Sequence, residues 1–259
     1  MALTNARRRP PIPFSKSALP RRSGLPSIAM RRRPTSVVLA LGTSCAALAA
    51  GIPASADPQK QPVTVAAIGD SLTDARSGGG KFLDLLRERC PLSRFDNYGK
   101  GGQMVNQMRR RFADDLFGPD RPAYTHVIVF GGVNDLYSDL TAGRTPAKIE
   151  QDLYAMYQTA RQHGARVVAI TVSPWGGFTR WFNASRSAAT LEVNRWIAAQ
   201  RDAGAVDAVV DAYKLLSCGD ATMLCPRFQA PYKDGLHFGP EGHRKLGEAL
   251  FDQVFASCA

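Results

Sequence analysis

Short apolar runs that stop abruptly at glycine or a polar residue, each followed by an amphipathic segment, constrain this chain most. Val63-Thr64-Val65-Ala66-Ala67-Ile68 ends at Gly69-Asp70-Ser71, Thr125–Phe130 ends at Gly131-Gly132, and Val167–Val172 ends at Ser173-Pro174. Runs of this length, rich in β-branched residues and closed by turn formers, predict strands buried on both faces. Arg94–Tyr98 and Val206–Val210 predict two further, weaker strands. Between them lie helical patterns: Lys81–Arg89, Val105–Leu116, a helix opened by Thr145-Pro146 with Ile149, Leu153, Met156 and Ala160 on one face, Ala188–Gln200, and a last helix opened by Pro240. Thr before Pro is a capped helix start, and Gly164 and Gly204 are stops. Strands that alternate with helices predict an α/β fold: a five-stranded, flavodoxin-like parallel sheet in a three-layer α/β/α sandwich.

Charge separates the chain into parts. The formal net charge is +11. Residues 1–56 contain nine Arg and Lys and no acid, which leaves 24 basic against 22 acidic residues over 57–259. The basic excess therefore belongs to the leader, and nucleic acid is excluded as an expected partner of the folded part. Within the leader, Met30-Arg31-Arg32-Arg33 is a basic start, Val37–Ala50 is apolar, and Ala54-Ser55-Ala56 is a small-residue cleavage pattern. That layout predicts a secretory signal peptide over 30–56, with residues 1–29 either a disordered basic extension or the product of a mis-assigned start, translation then beginning at Met30, and the functional domain over 57–259. The expected product is secreted or periplasmic, monomeric, and without stable membrane insertion after cleavage. Cys90, Cys218, Cys225 and Cys258 permit two disulfides in an exported chain, with Cys218–Cys225 and Cys90–Cys258 the favoured pairing among three.

The residues that end the strands carry the chemistry. Serine needs a base to become a nucleophile, the base needs an orienting group, and a developing oxyanion needs donors. Ser71 follows the first strand. Of four histidines, His126 begins a strand, His163 ends a helix and His243 lies on the last helix. His237 instead lies in a loop, with Asp234 three residues before it, a spacing that lets the carboxylate hold the ring. Gly102 lies beyond the second strand and offers a backbone N–H; Asn134, after the third, offers a side-chain amide. Gly69-Asp70-Ser71-Leu72, Asn97-Tyr98-Gly99-Lys100-Gly101-Gly102, Gly132-Val133-Asn134-Asp135 and Asp234-Gly235-Leu236-His237 together resemble the four blocks of the SGNH (GDSL-type) serine ester hydrolases. The resemblance covers nearly all of residues 63–250. It implies Ser71, His237 and Asp234 as a catalytic triad, and the Ser71 amide, Gly102 and Asn134 as the oxyanion hole. The second block is the loosest match, and Gly99 or Gly101 are alternatives to Gly102.

Other patterns fail. Thr73 replaces the last glycine of a Gly-x-Ser-x-Gly elbow, and Phe82 stands where a phosphate-binding loop requires Ser or Thr. No acidic cluster or His pair has metal-ligand spacing, so neither metal nor cofactor is expected. The aromatic stretch 174–182 offers Trp175, Phe178 and Trp181 as substrate-binding residues, with anchoring of the next helix as the alternative for Trp181. The expected activity is hydrolysis of a small-molecule or carbohydrate ester; carbohydrate O-deacetylation, lysophospholipid cleavage and thioester cleavage are alternatives within the same fold. A non-catalytic module binding glycan through Trp175 and Trp181 is the competing class.

Overall fold

The computed structural model describes residues 60–259. The leader and its cleavage pattern lie outside the described residues. Five strands, β1 (Thr64–Gly69), β2 (Arg94–Gly99), β3 (His126–Phe130), β4 (Arg166–Ile170) and β5 (Ala208–Val210), form an all-parallel sheet in the order β2-β1-β3-β4-β5. The helices are α1 (Phe82–Arg89), α2 (Val105–Phe117), α3 (Val133–Tyr137), α4 (Asp139–Ala142), α5 (Pro146–Gln162), α6 (Ala184–Asp202), α7 (Ala212–Leu216) and α8 (Pro240–Leu250). A two-stranded antiparallel hairpin, β6 (Ser217–Cys218) and β7 (Asp220–Leu224), stands apart from the main sheet. Among the described residues no helix is long and apolar enough to cross a membrane.

The pleat explains why the central strands read as unbroken apolar runs. Ala66, Ile68, Val127, Val129, Val167 and Ala169 face one core layer with α2, α5 and α6. Val65, Ala67, Ile128, Phe130, Val168 and Ile170 face the other, with α1, α7 and α8. Alternate side chains point to opposite faces, and here both faces are covered, so the interior positions of these strands are apolar and polar residues such as His126 and Arg166 stand only at their starts.

Helix boundaries follow their caps. Thr145 accepts the Lys148 N–H and Pro146 occupies the first turn of α5, as the sequence predicts. Helix α6 begins four residues earlier than the periodicity suggests, because Asn183 caps it by accepting the Arg186 N–H at 3.0 Å. Both disulfides form in the expected pairing. Cys90–Cys258 ties the residue after α1 to the chain's end, and Cys218–Cys225 staples the hairpin. The ends of the described chain also meet: the Gln61 N–H donates to the Ser257 carbonyl at 3.1 Å, and the Ala259 N–H to the Gln61 carbonyl at 3.1 Å.

Candidate active site

Parallel strands present their carboxyl ends on one edge, and loops from that edge gather the chemistry. Beyond β1 the Asp70 carbonyl accepts the N–H groups of Thr73 at 3.1 Å and Asp74 at 2.8 Å, a tight turn with Ser71 at its tip. The turn requires glycine at 69, since a Cβ there would lie 2.2 Å from Thr73 Oγ1 and 2.6 Å from the Phe130 carbonyl. Ser71 Oγ lies 2.9 Å from His237 Nε2. The other ring nitrogen, Nδ1, lies 2.7 Å from Asp234 Oδ2. Asp234 Oδ1 accepts the N–H groups of Leu236 at 2.9 Å and His237 at 2.8 Å, which fixes the carboxylate before it meets the ring. Burial would raise the Asp234 carboxyl, but these bonds and the neighbouring ring outweigh it and hold the group below its ordinary range. An anion thus faces Nδ1, which leaves Nε2 to exchange a proton with the serine.

Neighbouring loops complete the wall of the cleft. Asp74 Oδ2 accepts the Gly101 N–H at 2.9 Å, and Asn97 Oδ1 accepts the Gly99 N–H at 2.8 Å. Those two amides are spent on the wall; Gly102, like Gly101, lines the cleft. Gly102 adopts φ +74°, a left-handed conformation that suits glycine. Asn134, at the start of α3, is held by donating from Nδ2 to the Gln103 carbonyl at 2.9 Å. It lines the cleft beside Ser71 and His237. The residue after it, Asp135, is fully buried. Its carboxylate accepts the Val105 N–H at 2.8 Å and the Arg144 Nε–H at 2.6 Å, and Arg144 also donates to Asp152 at 2.6 Å. This network braces α3 against α2 and α5 and so steadies Asn134. Sequence reasoning missed it; Arg144 lies nine residues after Asp135 and eight before Asp152, spacings that together match neither a helical nor a strand period.

The cleft is open and of about 870 Å³. Of the three aromatics expected to contact substrate, only Phe178 lines it, edge-on to Tyr137 at 6.0 Å. Trp175 is fully buried, and its indole N–H donates to Thr190 Oγ1 at 3.0 Å. It is a core residue, because the loop after β4 turns inward to pin α6. Trp181 packs against Tyr137 and beneath the Arg180 guanidinium and does not line the cleft. A glycan platform built on Trp175 and Trp181 is thereby removed. Tyr232 was not anticipated; it lines the cleft with its hydroxyl against Gly78, where a Cβ would lie 1.9 Å away. The remaining histidines keep structural places: His126 bonded to Thr125 Oγ1 at 2.9 Å, His163 stacked on Phe117 at 4.2 Å, and His243 buried against Phe82 and Phe238.

A doubly wound sheet with a serine, imidazole and carboxylate in line at its carboxyl edge defines a serine-hydrolase class of site. Residues 67–245 match the model of the GDSL-like lipase/acylhydrolase family, and the chain belongs to that family of ester hydrolases. A search of curated proteins gave no match. Among solved structures the chain is similar to a GDSL-like lipase from Bacteroides thetaiotaomicron, with 21% identity, 74% of this chain and 89% of that one covered, and a TM-score of 0.60. It is also similar to a putative acylhydrolase from Bacteroides fragilis, with 20% identity, coverage of 74% and 88%, and a TM-score of 0.60. A third is a catalytic mutant of an acetylxylan esterase from Geobacillus stearothermophilus, with 16% identity, coverage of 78% and 99%, and a TM-score of 0.60.

Proposed function

We propose that the protein is an exported, monomeric serine esterase that works through an acyl-enzyme. Ser71 Oγ attacks the ester carbonyl while His237 Nε2 takes its proton, and Asp234 stabilises the imidazolium. The Ser71 and Gly102 N–H groups and the Asn134 amide hold the oxyanion. Collapse expels the alcohol, which takes the proton from His237 and leaves the acyl group on Ser71. Water, deprotonated by His237, then attacks the acyl carbon; the second tetrahedral intermediate releases the acid and restores Ser71. The observation that carries this reading is the unbroken Ser71–His237–Asp234 chain of 2.9 Å and 2.7 Å contacts. The cleft is lined by Tyr137, Phe178 and Tyr232, which suits a small acyl group or a sugar ester. Export is supported by the leader's charge and cleavage pattern and by two disulfides.

The test compares wild type and Ser71→Ala on p-nitrophenyl esters of increasing chain length and on acetylated xylan. Wild type turns over short esters, and Ser71→Ala loses on the order of 10⁴–10⁶ in kcat. Intact-mass analysis of a quenched reaction finds the acyl group on the wild type alone. Wild-type rates in Ser71→Ala would refute the assignment.

A further inference from the structure

The triad and donors account for the floor of the cleft. One wall carries charge that the hydrolytic reading does not use. Among the lining residues the fixed charges are Asp74, Arg76 and Lys100, a net +1. They do not face the cleft equally. The Asp74 side chain is only 8% exposed, whereas that of Arg76 is 80% exposed. Asp74 directs its oxygens into the wall, accepting from the Gly101 N–H at 2.9 Å, the Arg76 N–H at 3.0 Å and Ser77 Oγ at 3.2 Å, and it pairs with the Arg76 Nε–H at 3.3 Å. Burial would raise the Asp74 carboxyl, but the Gly101 and Arg76 N–H bonds and the Arg76 guanidinium outweigh it and hold the group below its ordinary range. Lys100 Nζ reaches Asp115 at 3.1 Å, but Asp115 also accepts from Arg111 at 2.7 Å, so two cations share one acid. The outward-facing charge of this wall is therefore positive.

Both cations stand on loops that flank the nucleophile. The Asp74–Gly101 bond joins the turn bearing Arg76 to the loop bearing Lys100, and a Cβ on Gly101 would lie 3.9 Å from Ser71 Cβ. Their present ion pairs are partly exposed, and pairs of that kind are weak enough for a ligand anion to replace at little cost. We infer that the cleft selects esters that carry a negative charge, with Arg76 and Lys100 as the specificity-determining cations. The inference rests on the proposed ester hydrolysis for its catalytic readout. The anion can sit on the acyl part or on the alcohol part; the chemistry recognised is a carboxylate or phosphate a few bonds from the scissile ester.

Two matched pairs of substrates separate those placements. The p-nitrophenyl monoester of adipic acid against p-nitrophenyl hexanoate charges the acyl side; p-acetoxybenzoate against its methyl ester charges the alcohol side. At low ionic strength, wild type favours the charged member of at least one pair about fivefold in kcat/KM, after correction for uncatalysed rates. The preference fades as NaCl screens it. Arg76→Gln and Lys100→Gln each lower the charged-to-neutral ratio, and the double variant abolishes it. Equal treatment of both pairs, or a preference indifferent to salt and to both substitutions, overturns the inference. Calorimetric titration of Ser71→Ala with adipate monoamide against its neutral diamide reads the same selectivity without turnover. A charge preference there supports the inference even if ester hydrolysis fails; Ser71-dependent hydrolysis with no charge preference in either measurement sinks this inference alone.

Discussion

Asp70 sits directly before Ser71 and is fully buried. Its Oδ1 accepts the Leu72 N–H at 2.9 Å, while Oδ2 has no protein partner among the described residues. Burial, helped by the charge of Asp135, pushes its carboxyl up from 3.8 to about 7, against the Leu72 bond and the His237 ring. A group whose pKa is raised on folding favours the native state while protonated. That advantage is complete below pH 3.8 and is lost as pH rises to about 7, the pKa of the folded group. At 1.36 kcal/mol per pH unit, the loss over that window is about 4 kcal/mol. Asp70→Asn removes the titration. It keeps an acceptor for Leu72 but buries an N–H where Oδ2 stood, at about 1–3 kcal/mol at every pH. The variant is therefore less stable than wild type near pH 4 and more stable by about 1–3 kcal/mol at pH 8. Urea titrations with the disulfides intact, followed by tryptophan fluorescence at pH 5 and pH 8, measure the change. Groups common to both proteins cancel, and the variant gains about 3 kcal/mol on wild type between those two conditions. A stability difference that stays constant across the same interval would refute the reasoning.

Two further outcomes follow from the site's supports. Gly102→Ala meets no atom within 4 Å but must hold an alanine at φ +74°; it costs about 1–2 kcal/mol in stability and lowers kcat more than it raises KM, whereas Gly101→Ala drives a Cβ to 2.7 Å from Ser77 Oγ and disturbs the wall itself. Steady-state kinetics and melting curves of the two variants tell these apart. Arg144→Met leaves the buried Asp135 without its cation, while Asp152 keeps Arg109 at 2.8 Å; a loss of about 3–5 kcal/mol is expected by denaturant titration, accompanied by lower kcat through a loosened Asn134.

What could be read from the sequence divides by the range of the contacts. Strands covered on both faces announce themselves, since every residue of Ala66–Ile68 or Val127–Val129 must be apolar. Ser71, Gly102, Asn134 and His237 were legible because strand ends put them on one edge, and a parallel order then brings them together. Trp175 was misread because the direction its loop takes depends on Thr190, fifteen residues on, and an aromatic after a strand looks alike whether it turns in or out. The hairpin β6–β7 and helix α7 are too short for periodicity to mark. Their visible traces were Asp211, which caps α7 by accepting the Lys214 N–H, and Gly219 at φ +71° between the two short strands. The place of Tyr232 against Gly78 exists only once distant loops have met, and the Asp135–Arg144–Asp152 network, though it spans fewer than ten residues a side, follows no periodicity.

Gln61 and Ala259 are joined by a backbone hydrogen bond at the amino end of β1, while Ser71 lies past its carboxyl end. A strand of six residues separates them by about 20 Å. Gln61 and Ala259 thus lie at the end of β1 opposite Ser71, and the cleft opens away from both. The same closeness allows the ends of the 60–259 segment to be spliced and new ones opened in an exposed loop, giving a permuted enzyme with its working edge untouched.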